Sequence, residues 1–278
     1  MKQSLAFLAL LVSLTGFGQF YYKDLVDARA NDDKMKVYLA NKVVSVTATG
    51  YDSRGVKATD FYEVQEVFPA QNLLKVSTRS GLSVVKTYYR FDAQGRLASI
   101  SDSTNGIKSR TSYQYTGNNL VLVKTEVKDS LNDFSETEEH QWIYNNAGKP
   151  EKMWKIVNSK DSMEYRFTVD EKGNVADEQL FRRGVGIDPF YFYYDDQHML
   201  TDIVRYNKRA KKLLPDFMFE YDEQGRVIQK ITTLSTTTPD YLTWRYLFND
   251  KGLKTKEALF NKQKELTGRI EYSYNFQP

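Results

Sequence analysis

Two histidines and no cysteine leave this 278-residue chain little material for nucleophilic or metal chemistry. His140 stands just ahead of a strand and His198 sits in a turn, and two such residues without a Cys are almost no material for a His-based metal site or a nucleophile–His pair. No G-x-S-x-G, H-E-x-x-H or phosphate-cradling glycine loop occurs. Carboxylates are plentiful enough for a paired-acid hydrolase, yet they concentrate in turns, where hydrogen bonding to backbone already accounts for them. The expectation is a protein that is not an enzyme and carries no cofactor or metal.

Binding chemistry is what remains. Phe190-Tyr191-Phe192-Tyr193-Tyr194 is a run of aromatics on both faces of one strand, so either both faces are covered or one presents an aromatic patch. Trp154 and Trp244 are the next large aromatic candidates, with filling of the core as the plainer reading of each. Lys208-Arg209-Ala210-Lys211-Lys212 suits an anionic membrane surface or an acidic partner, or simply a solvated hairpin loop. The candidate partner-binding residues are therefore Phe190, Tyr191, Tyr193, Trp154, Trp244, Lys208, Arg209, Lys211 and Lys212. Net charge is only +3, which gives no electrostatic case for nucleic acid.

The elements that must position these residues announce themselves by repetition. Tyr89-Arg90-Phe91-Asp92-Ala93-Gln94-Gly95 recurs in type as Tyr113 to Asn119, Trp142 to Gly148, Phe167 to Gly173, Phe192 to His198, Phe219 to Gly225 and Tyr246 to Gly252. A truncated copy, Tyr272-Ser273-Tyr274-Asn275, follows, and a degenerate one, Tyr51 to Gly55, precedes. A period of roughly 25 to 29 residues marks a repeat architecture. Aromatics two apart share one face of a strand, Asp or Asn opens the turn, and Gly supplies the positive φ that closes it. His198 and Asn119 replace Gly with types that tolerate the left-handed region. Each repeat reads as one hairpin, and side by side the aromatic pairs form a ladder.

The predicted fold is all-β: a repeat array of antiparallel hairpins in one long twisted sheet of roughly 16 strands, open at both edges. Its first and last strands are expected to offer pairing edges to another chain. Connections on the far side of the hairpins, among them Ser101 to Ser109, Arg182 to Pro189, Asn207 to Pro215 and Ser235 to Pro239, are polar and align along one edge, where binding is expected. Residues 1–18 read as a signal peptide, with Lys2, a short apolar stretch from Leu5 to Leu14, and Gly16 and Gly18 before the cut. Residues 19–42 form a short, weakly helical N-terminal arm in which Asp32 and Asp33 begin a second turn, and 43–278 form the repeat domain. Without a lipidated Cys or a segment of about 20 apolar residues, the expected location is periplasmic, with the extracellular face as the alternative.

Phe91-Asp92-Ala93-Gln94-Gly95-Arg96-Leu97 and Tyr221-Asp222-Glu223-Gln224-Gly225-Arg226-Val227 resemble the YD repeats of RHS-type proteins, aromatic-x-Tyr-Asp-x-x-Gly-Arg-Leu. Phe91 and Val227 are the departures, and the other copies are looser. Large members of that family build a β-shell around a toxin, but this chain is too short to enclose a cargo and lacks the shell's terminal core motif. Length, leader and the start Phe20-Tyr21-Tyr22-Lys23-Asp24-Leu25 are similar to the small exported YD-like proteins of bacteria with type 9 secretion. That resemblance implies a soluble, non-catalytic accessory or plug on the periplasmic side of an outer-membrane channel, with a protein partner such as an outer-membrane β-barrel. The alternative is a glycan-binding module, because Tyr and Trp stack on sugar rings.

Overall fold

A computed structural model describes residues 20–104, 106–234 and 240–278. The signal-peptide expectation for 1–18 and the connection Ser235 to Pro239 lie outside these residues. One helix, α1 (Lys23–Ala40), precedes eighteen strands. In chain order they are β1 (Val43–Asp52), β2 (Lys57–Phe68), β3 (Leu73–Ser80), β4 (Ser83–Phe91), β5 (Leu97–Thr104) and β6 (Ile107–Thr116). Next come β7 (Asn119–Asp129), β8 (Phe134–Tyr144), β9 (Pro150–Val157), β10 (Asp161–Val169), β11 (Val175–Arg182) and β12 (Val185–Tyr194). The last six are β13 (Leu200–Asn207), β14 (Lys212–Tyr221), β15 (Val227–Thr233), β16 (Tyr241–Phe248), β17 (Lys254–Phe260) and β18 (Leu266–Phe276).

Every strand pairs antiparallel with its neighbours in sequence, and β1 also pairs with β18 from Val43↔Phe276 to Asp52↔Gly268. The sheet is thus a closed up-and-down barrel, and the expectation of an open twisted sheet with two free edges is wrong. Bulges supply a physical reason for the closure. In each of the seven repeat hairpins the register slips by one residue beside the turn, as where Arg90 faces Ser99 but Phe91 faces Leu97. A bulge bends its strand and adds twist, so seven of them at one end curl the sheet round. Pairing β1 with β18 then removes both unsatisfied edges.

The turns themselves form as their composition dictates. Asp92 Oδ1 accepts the N–H groups of Gln94 and Arg96 at 2.9 Å each, and Gly95, at φ +77°, bonds back to the Asp92 carbonyl. The same pair of side-chain bonds recurs at Asn145, Asp195, Asp222 and Asn249. All these turns lie at one end of the barrel, here the turn end. The β1–β2, β3–β4, β5–β6, β7–β8, β11–β12 and β13–β14 connections lie at the other, the loop end.

Facing inward, the aromatic ladder lines the barrel, and α1 gives it something to pack against. Lys23 to Ala40 holds good helix formers and neither Gly nor Pro. Its partners come from the whole circumference near the turn end. Ala28 meets Leu120 and Val123 of β7, Met35 packs with Val46, Leu74 and Leu97, and Tyr38 lies edge-on to Tyr274 of β18 at 6.3 Å. The arm is one continuous helix with no new turn at Asp32, and it lies across the barrel's interior, not over one face of an open sheet. Arg29, Asp33 and Lys36 on its remaining side stay exposed.

Candidate functional site

Around the start of the arm the structure assembles a group of polar residues that the sequence did not bring together. Glu178 of β11 is buried and accepts the N–H groups of Tyr21 and Tyr22 at 2.8 Å, meeting donors that the first turn of α1 leaves free. Burial pushes its carboxyl up to about 8. One turn on, Asp24 meets His140 of β8, with Oδ2 2.6 Å from Nδ1, and the other ring nitrogen lies 2.8 Å from Glu138. Lys155 of β9 bonds Glu138 at 2.6 Å and the Tyr21 hydroxyl at 3.1 Å. Desolvation lowers the His140 pKa, but the hydrogen bonds to Asp24 and Glu138 outweigh it and hold the imidazole at about 9. The His140 hydrogen bond, joined by Lys155, draws Glu138 down to about 2. Each charge in the cluster is engaged by a neighbour. Its chemistry is that of a latch fixing the arm to the wall.

Beyond the latch a cavity of about 1580 Å³ opens toward the loop end between β11 and β16. Tyr21, Tyr165 and Glu178 border its inner part, Leu180, Ile187 and Leu214 line its side, and Tyr206 and Tyr241 stand toward the mouth. Arg205 and Asp216 pair across the wall at 2.7 Å and give the cavity one fixed polar point.

Of the candidate residues, Phe190, Lys208 and Arg209 border this cavity together, with Tyr191 in the wall beside them. Phe190 is buried against Phe20 at 5.8 Å, so it is core and not a docking surface. Tyr191 and Tyr193 alternate to the outer face, Tyr193 half exposed. Trp154 also faces out, opposite Glu164 and Gln141, on a distant part of the wall. Trp244 faces in, opposite Lys230 and Leu259. Lys208, Arg209, Lys211 and Lys212 occupy the exposed β13–β14 turn, with Lys208 3.2 Å from Asp188. The nine residues therefore form no single patch.

The outer wall carries ion pairs on several strands, with single exposed apolar side chains such as Tyr62, Ile143 and Leu247 between them. Residues opposite each other share a face, and Tyr274 touching Tyr38 marks that face as inner, so Ser45 and Asn275 point out. By the same register the outer face carries Lys75–Glu66 at 2.6 Å, Lys124–Glu139 at 3.6 Å, Arg166–Glu164 at 2.9 Å and Arg269–Glu271 at 3.0 Å. One row differs: Tyr193, Asp202, Met218, Ile231 and Thr243 follow one another across β12 to β16 with a single charge.

No family model matches the sequence and no curated protein matches it. Among solved structures the chain is similar to a porin-like protein from Bacteroides uniformis, with 10% identity and a TM-score of 0.42, over 84% of this chain and 98% of that one. A porin-like protein from Bacteroides vulgatus aligns over the same shares with 12% identity and a TM-score of 0.33. The Tc holotoxin pore of Photorhabdus luminescens aligns over 77% of this chain and 16% of that one, with 10% identity and a TM-score of 0.31. The barrel is established by its own strand pairing, and these weak likenesses add nothing about its role.

Proposed function

We propose that this protein is a non-catalytic, exported binding protein of the periplasm, an accessory or plug subunit of an outer-membrane channel such as a type 9 secretion translocon. The observation that carries this reading is a barrel with its own N-terminal helix latched across one end and ion pairs on its outer wall. A membrane-spanning barrel turns an apolar band toward lipid; Lys, Arg and Glu stand in that place here. Closure leaves no strand edge for augmentation, so a partner must engage the outer surface, and the sparsely charged row from Tyr193 to Thr243 suits it. A C-terminally tagged copy is recovered from detergent-solubilised native membranes and its companions identified by mass spectrometry. Stoichiometric recovery with one large outer-membrane β-barrel is expected, and weakened recovery on Tyr193→Asp or Met218→Asp. Recovery of the protein alone would sink the reading.

The second reading, a glycan-binding module, is favoured by one feature: Tyr165, Tyr206 and Tyr241 border a cavity that also holds the Arg205–Asp216 pair. Aromatic faces beside a fixed polar pair suit a sugar ring. Calorimetry against peptidoglycan fragments, with Tyr206→Ala as control, decides it, and the absence of heat with every fragment removes it.

A further inference from the structure

At the loop end, apolar side chains stand where hairpin tips usually carry polar ones. Leu82 is 97% exposed, Leu131 76% and Val185 66%, and Val56 and Phe134 are exposed as well. They belong to four separate hairpins, β1–β2, β3–β4, β7–β8 and β11–β12. None belongs to the clusters that hold the barrel together.

Cations lie among these tips. Lys57 follows Val56, Arg182 and Arg183 precede Val185, Lys108 and Lys128 flank the β5–β6 and β7–β8 connections, and Lys211 tops β13–β14. All six are exposed, and none has an ion-pair partner among the described residues, whereas many cations of the side wall are paired. The opposite end gathers the carboxylates of the Asp turns, among them Asp92, Asp170, Asp195 and Asp222. Carboxylates stand at the loop end too, with Asp52 paired to Arg54 and Asp188 to Lys208, but Lys and Arg exceed Asp and Glu in its connections, which orients the molecule in the field of an anionic surface.

Single apolar side chains spread round a closed rim offer no contiguous patch for a compact protein partner. Spaced single side chains of this kind suit a planar surface. Apolar tips flanked by Lys and Arg are the chemistry that enters the boundary between headgroups and acyl chains while the cations meet phosphates. We propose that the loop-end rim docks on the surface of an anionic phospholipid bilayer, with Leu82, Leu131 and Val185 entering the interface. Docking in this pose sets the mouth of the cavity against the bilayer and turns the α1 end away from it. It is independent of the protein partner, which the side wall would engage.

The test is co-sedimentation of the purified protein with vesicles of phosphatidylcholine alone and of phosphatidylcholine mixed with an equal part of phosphatidylglycerol, at low and high salt. Binding to the mixed vesicles, much weaker to the neutral ones and reduced by salt, is expected. Each surface cation contributes roughly fivefold to such binding, so Arg182→Ala, Arg183→Ala and Lys211→Ala together weaken it on the order of a hundredfold. Leu82→Asp, Leu131→Asp and Val185→Asp together abolish sedimentation while the melting curve keeps its midpoint, which separates a binding defect from misfolding. No binding to the mixed vesicles, equal binding to both kinds, or undiminished binding of the Asp variant overturns the proposal. Retention on native membranes by an integral protein without vesicle binding also overturns it and assigns the rim to a protein.

Discussion

Asp92 meets three groups at once: two backbone N–H groups through Oδ1 and the Arg96 guanidinium through Oδ2 at 2.7 Å. Arg96 in turn reaches the next repeat, lying over the Tyr115 ring at 4.3 Å and donating to the Gly117 carbonyl at 2.6 Å. Arg226 does the same toward Phe248 and Asn249, which gives the Gly-Arg of the two closest YD-like copies a physical purpose. Asp92→Ala is expected to cost roughly 1–2 kcal/mol, read as a fall in the urea midpoint with the slope unchanged. The preference for Tyr in the ladder is explained similarly. The hydroxyls of Tyr115, Tyr144, Tyr194, Tyr221 and Tyr274 each donate to a backbone carbonyl of the preceding repeat, at 2.7 to 3.0 Å. Tyr194→Phe should lose about 1 kcal/mol by the same measurement, and an unchanged midpoint would show that the bond contributes nothing net. The His140 latch makes stability depend on pH. The imidazole keeps its proton to about 9 in the fold against 6.5 for the ordinary group, so its contribution is complete below about 6.5 and lost as pH rises through about 9. Glu178, raised from 4.5 to about 8, acts in the same direction at lower pH, and Lys34, lowered to about 8 by burial, opposes both above that. The midpoint should fall from neutrality toward pH 9, less steeply in His140→Gln, and identical profiles would remove His140 as the cause. Glu178 was not legible as an inner residue because the bulge beside Val175 reverses the alternation: Val175 and Glu178 both point in, which a count by twos forbids.

At the scale of elements, the hairpins were readable and the helix only half so. Aromatic, turn and apolar positions recur at fixed offsets, so β4 to β18 follow from the repeat. The bulges did not, since an extra residue in a strand has no type of its own. Tyr21, Leu25 and Ala28 suggest a helix, but Asp32 interrupts the apolar side. Its carboxylate accepts the Leu97 N–H at 2.7 Å, a polar contact on the side that faces the wall, and so the pattern breaks where the helix does not. Met35 is almost fully enclosed between β1, β3 and β5. Met35→Ala should destabilise the whole barrel by about 2–5 kcal/mol, since the cavity it leaves is bordered by both helix and wall. A much smaller loss, with the helix signal alone diminished in circular dichroism, would mean that α1 and the barrel melt separately.

For the molecule as a whole, composition and periodicity fixed the all-β class but not its closure. The pairing of β1 with β18 joins residues more than 200 apart, as Ser45 and Asn275 show, and neither strand differs in type from one at an open edge. The same holds for the site: aromatic and basic candidates were visible as runs, while the cavity that unites some of them and separates others depends on curvature. An ion-paired outer wall carries its own expectation: the protein should remain monomeric in detergent-free buffer by light scattering, and a requirement for detergent would contradict the assignment of outward residues.

The β1–β18 seam has a consequence for the order of events. Residues 20–40 are made before any strand, and β18 is the strand that shuts the wall they pack against. Until β18 arrives, the arm has only part of a wall to pack against; afterwards its inner side meets a complete one. The arm thus completes its packing last, and its amides at the buried Ala28, Met35 and Tyr38 should exchange with solvent deuterium more slowly than those at the exposed Arg29, Asp33 and Lys36.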